Sequence, residues 1–79
     1  MKTRVHVFLK PGVLDVQGKA IEGALHGLGF ADAANVRVGK TIELDVRGED
    51  VAAAKAEATQ MAERLLANTV IESYRVEVG

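Results

Sequence analysis

The chain has 79 residues, 48% of them hydrophobic, with ten basic and eleven acidic side chains for a net charge of −1. A chain this short forms one domain, residues 1–79, with a thin core. The absence of cysteine excludes disulfides and thiolate metal sites. No stretch concentrates the basic charge that nucleic-acid binding needs, and no apolar run reaches the ~20 residues of a membrane span.

Met1-Lys2-Thr3-Arg4 leads into alternating residues, not into a signal-peptide core, so the cytoplasm is the expected location. Over residues 3–10, Val5, Val7 and Leu9 share one face and Arg4, His6, Phe8 and Lys10 the other, the pattern of a half-buried strand. Pro11-Gly12 stops it, because proline cannot donate to a ladder and glycine tolerates a tight turn.

Asp15 is placed to cap a helix, its carboxylate reaching the free amides of the next turn. Ile21, Ala24, Leu25 and Leu28 make that helix's apolar stripe through about residue 28, and Gly29 is its expected stop. Gly18, Gly23 and Gly27 each weaken it by about 1 kcal/mol relative to alanine. That cost points to a close neighbour, such as a second helix or another subunit.

Residues 35–46 have two readings. A hairpin at Gly39-Lys40 mixes apolar and polar residues on one side if its loop has two residues. With three, it puts β-branched Thr41 in a left-handed conformation. A single strand bent at Gly39 keeps Val36, Val38, Ile42, Leu44 and Val46 in one register, interrupted only by Lys40. Such a strand is ~40 Å long at ~3.3 Å per residue, whereas a compact chain of this size is only ~30 Å across. It would overhang its own domain and pair with a second subunit. The single long strand is the expected arrangement.

Gly48-Glu49-Asp50 opens a second helix, with acids at the end where the dipole favours them. Its apolar face is Val51, Ala54, Ala58, Met61, Ala62 and Leu65, and Asn68 marks its end. Residues 70–78 form the last strand, with Tyr74, Val76 and Val78 on one side. The expected fold is α+β: a two-layer sandwich of ferredoxin-like character, with an antiparallel sheet and two helices on one face. Its central strand is 35–46, shared with a second subunit.

No residue pattern points to catalysis, a cofactor or a metal. His6 and His26 lie on different elements without a carboxylate pattern around them. Ser73 is the only serine and sits in no nucleophile elbow. Gly27-Leu28-Gly29 ends a helix where a phosphate-binding turn would open one. The amides that begin the first helix, near Lys10, could hold an anion, but the Asp15 carboxylate competes for them.

The run Phe8-Leu9-Lys10-Pro11-Gly12-Val13-Leu14-Asp15, followed by Gln17-Gly18-Lys19-Ala20, resembles the opening of the PurS family. Val36-Arg37-Val38-Gly39-Lys40 and Leu65-Leu66-Ala67-Asn68 with Val70-Ile71-Glu72-Ser73-Tyr74 match it in the same order. The family often has proline where Val16 and Thr69 stand, a difference of local stiffness.

The resemblance implies the small, non-catalytic subunit of phosphoribosylformylglycinamidine synthase, a ligase of purine biosynthesis. Its implied partners are a large synthetase subunit (PurL-like) and a glutaminase subunit (PurQ-like), which it brings together for ammonia transfer. The complex uses ATP, Mg and glutamine, with no cofactor held by this chain, and the small subunit forms a homodimer or homotetramer. Contact surfaces are expected at Lys10, Pro11, Gly12, Asp15, Gln17 and Gly18, and at the Gly39-Lys40 bend. The rival reading is a freestanding amino-acid-sensing module of the ACT type, which carries a similar Pro-Gly-Val-Leu turn. An RNA-binding domain of the same fold would need stacking aromatics that the sheet lacks beyond Phe8 and Tyr74.

Overall fold

The computed structural model describes residues 1–79. In chain order they form β1 (Lys2–Leu9), α1 (Val16–Gly27), β2 (Gly39–Asp45), α2 (Val51–Met61), and β3 (Glu72–Val78). A π-helical turn, Ala62–Leu66, continues α2. The sheet is antiparallel with order β2-β1-β3, so the amino-terminal strand is its middle.

Alternation in β1 sorts the sheet into two faces, as the sequence predicts. Thr3, Val5 and Val7 are fully buried, and the register places Ile42 and Val76 beside Val5 and Tyr74 beside Val7. α2 lies over this face through Ala54, Ala58 and Ala62, each buried. Alanine at four-residue spacing gives the helix a smooth seam that sits close to the strands. Ala67 then joins the same cluster, five residues after Ala62, because the π turn adds one residue to the repeat. Full burial of each valine contributes about 2 kcal/mol, so a core of two valines and a few alanines is modest.

The other face of the sheet is polar and networked. Arg4 donates to Glu43 at 3.1 Å, and His6 lies 3.0 Å from both Thr41 Oγ1 and Glu77 Oε1. These side chains tie the middle strand to both edges.

Two expectations change. Of the two helices expected on one face, only α2 packs there. α1 stands away from the sheet, with Gly18 its one buried residue. Its stripe is therefore largely uncovered: Leu28 is 75% exposed, and Phe30, just beyond the helix, 61%. The radius of gyration, 15.8 Å with extents of 48 × 25 × 14 Å, exceeds the ~12 Å of a compact chain of this length.

The strand expected over 35–46 as the central one begins in the sheet only at Gly39 and lies at an edge. No hairpin forms at Gly39-Lys40. The backbone beyond Gly39 has run past the end of β1, where no strand remains to pair with it. Carboxylates take that place. Val38 N donates to Asp15 and Val36 N to Glu22, so even-numbered amides still find acceptors on the side where β1 had been.

The glycines of α1 divide sharply. A Cβ at Gly18 would collide with the Val36 carbonyl oxygen and lie 2.9 Å from the Asp15 carboxyl carbon, whereas Gly23 has open space around it. Gly18→Ala is expected to destabilise by about 1–3 kcal/mol through overpacking. Gly23→Ala is expected to stabilise by about 1 kcal/mol through helix propensity. Urea unfolding of both variants at matched protein concentration checks the opposite signs.

Candidate functional site

The residues singled out in the sequence converge at the junction of α1 with the sheet. The β1 chain leaves through Lys10, whose amide donates to Ile71 O and whose carbonyl accepts from Val13 N, both at 2.9 Å. The Lys10 ammonium reaches Thr69 O at 2.9 Å, and the Arg37 guanidinium donates to Lys10 O at 2.9 Å. Pro11 and Gly12 form the exposed turn that follows.

Asp15 is the hub. It is only 4% exposed, and its two oxygens accept from Gly18 N and Val38 N, each at 2.7 Å. The first bond caps α1 and the second fixes the backbone approaching β2. Those bonds hold its carboxyl below the usual range, Val38 contributing most and Gly18 next; burial opposes them, and Arg37 adds a smaller attraction. Glu22, seven residues further along α1, repeats the arrangement at 3.2 Å from Val36 N, which lowers its pKa in turn.

Gly39 is equally constrained, since a Cβ there would lie 2.8 Å from Val7 O. Asp15, Gln17, Gly39 and Lys40 are among the residues lining a cleft of about 250 Å³. A larger groove of about 510 Å³, which Asp15 also lines, is bounded by Phe8, Leu14, Val36 and Arg37. Asp15 and Gln17 from the first expected contact segment thus meet Gly39 and Lys40 at one cleft, and Pro11 lies on the larger groove.

Glu22 and Arg37 also line this region, outside the expected contact segments, whereas Leu14 lies within the first of them. Leu14 is 70% exposed beside the groove. The signal for Glu22 is its spacing: seven residues after Asp15 on a helix places both carboxylates on one face. Nothing local shows that alternate amides of residues 36 and 38 would meet them.

Both carboxylates accept from backbone amides, which leaves neither poised as a base. His6 faces the polar side of the sheet, and His26 Nε2 lies 2.6 Å from Ala33 O. No group of three or more His, Asp or Glu side chains is clustered to hold a metal. No helix is long and apolar enough to cross a membrane.

Residues 2–79 match the family model described as PurS, phosphoribosylformylglycinamidine (FGAM) synthase. The phosphoribosylformylglycinamidine synthase subunit PurS of Bacillus subtilis is 46% identical over 77 residues, 98% of this chain and 90% of that one. PurS of Methanocaldococcus jannaschii superposes with a TM-score of 0.88 at 37% identity, covering 99% of this chain and 94% of that one. A chain in the structure of PurLQS from Thermotoga maritima gives 0.87 at 32% identity, with coverages of 96% and 93%.

The lowered Asp15 pKa carries a pH dependence. Its contribution to stability is complete above about pH 4, where an unfolded aspartate titrates, and is lost as pH falls through the lower folded value. Asp15→Asn is expected to be less stable than the natural chain at pH 7 and to lose less stability between pH 4 and 2. Urea midpoints across that range, followed by circular dichroism, measure both slopes; parallel curves would contradict the bridging role.

Proposed function

The chain belongs to the PurS family, and on that premise we propose that it is the non-catalytic accessory subunit of phosphoribosylformylglycinamidine synthase in purine biosynthesis. In this reading it joins a large ATP-dependent synthetase subunit to a glutaminase subunit, so that ammonia from glutamine passes to the synthetase site. ATP, Mg and glutamine are used by its partners, and the complex works in the cytoplasm. The likeness to a chain of the Thermotoga maritima PurLQS structure supports the partner assignment.

The observation that carries the reading is the outstretched α1. A 79-residue chain has little core to spare, yet this one leaves a helix, two grooves and large apolar side chains uncovered. Contiguous apolar surface of this kind marks protein contact. The Asp15 and Glu22 bonds hold it in one geometry before any partner arrives, which lowers the ordering cost of association. A second copy of the chain covers the apolar stripe of α1, giving the homodimer or homotetramer. Lys10, Pro11, Gly12, Asp15, Gln17, Gly18, Gly39 and Lys40 form the surface offered to the enzyme subunits, with Asp15 and Gly18 shaping it from within.

Glutamine-dependent synthase activity of the matching large and glutaminase subunits, with and without this chain, tests the function. Activity is expected to appear only on its addition; equal activity without it would remove the assembly role. Lys10→Ala and Lys40→Ala are expected to weaken the three-subunit complex on gel filtration. Unchanged assembly in both would displace the proposed surface.

A further inference from the structure

The groove of about 510 Å³ at the base of α1 has the size of a small-molecule site. Its lining is largely apolar, with Phe8, Leu9, Pro11, Leu14 and Val36 all contributing. Phe8 and Leu14, the bulkiest with Leu9, are both exposed.

Charged groups meet at the same groove, and they are unequally engaged. Asp15 and Glu22 line it, but their oxygens are given to backbone: Asp15 accepts from Gly18 N and Val38 N, and Glu22 from Val36 N. Arg37 also lines it. Its Nη2 donates to Lys10 O at 2.9 Å, and no carboxylate comes within the 4.0 Å that defines an ion pair. A guanidinium carries five N–H donors, so that one bond leaves most of them for a ligand. Lys19, the second lining cation, meets Glu22 only at 3.9 Å, in a loose surface pair. Asn35 adds a carboxamide that can donate or accept.

We propose that this groove binds a small amphipathic oxyanion, a flat apolar body carrying one carboxylate or phosphate. The oxyanion meets Arg37, whose planar fork matches either group bidentately, with Lys19 as the second charge. The body lies along Pro11, Leu14 and Phe8. An anion is selected over a cation because the carboxylates have spent their oxygens on amides while the guanidinium keeps its donors. Inorganic phosphate alone would leave the apolar lining uncovered. Lys19, Asn35 and Arg37 lie outside the residues assigned to the enzyme subunits, so the site does not rest on the assembly reading.

Two-dimensional NMR of the full chain tests the site, with phenyl phosphate and phenylacetate as probes. Saturable shifts at residues 8–22 and 35–37 are expected from at least one, and the tighter of the two identifies the headgroup. Inorganic phosphate and benzyl alcohol, which each carry half of the ligand, are expected to bind at least about tenfold more weakly. Arg37→Gln is expected to weaken the probe about tenfold through loss of a charge-assisted contact. Arg47→Gln, beyond the far end of β2, is expected to leave binding unchanged. Leu14→Ser is expected to weaken binding too, and decides alone should the Arg37 variant fail to fold. No saturable shift from either probe, equal binding of inorganic phosphate, or full affinity in Arg37→Gln overturns the site. Shifts here only on adding the enzyme subunits would assign the groove to protein contact and overturn it as well. The probe titrations contain no enzyme subunit, so their failure leaves the assembly reading standing.

Discussion

A single carboxylate holds this molecule in its shape. Asp15 takes one amide from its own helix and another from a residue 23 positions later, and α1 has no hydrophobic packing on the sheet to replace that link. Gly18 follows from it, since only a residue without a side chain lets Val36 come this close to the helix. The junction of sheet and outstretched helix is thus made of polar bonds to backbone, which are directional. A greasy contact of the same area could slide.

Much of the fold was legible from local chemistry. The β1 alternation, the Asp15 cap and the Gly29 stop with its φ of 97° all act within a few residues of where they are read. Asp50 caps α2 through the amides of Ala52 and Ala53 in the same way. The parts that differ, α1 off the sheet and β2 at an edge instead of the centre, depend on distant partners. Alternation across residues 36–46 is real, but β1 ends too soon to pair with its first part, which is the overhang the long-strand reading expected a second subunit to meet. An amphipathic stripe says that a helix will be covered; it does not say by which chain. The contact residues were visible singly, as a turn, a cap and a bend, whereas their convergence depends on the β1–β2 register.

The division of labour between the two helices follows from side-chain size. α2 presents alanine to the sheet and sits close, closing a small core around Val5 and Val7. α1 carries its bulk in Leu25, Leu28 and the adjoining Phe30, too far from the sheet to use it. The chain thereby spends its small residues on its own stability and leaves its large ones for association. An accessory subunit can be made this way from few residues, because its partners complete the burial that a lone domain of this size cannot.

The π turn at residues 62–66 has a consequence for how the family can vary in length. Its wider ring holds one residue more than a regular turn, and Ala67 N still reaches Ala62 O at 3.0 Å. A chain lacking one residue here could continue as ordinary α-helix, with its next small side chain arriving over the sheet at the usual four-residue interval. Length changes of one residue would therefore be absorbed inside the helix, at the end farthest from Asp50, without shifting β3 against β1.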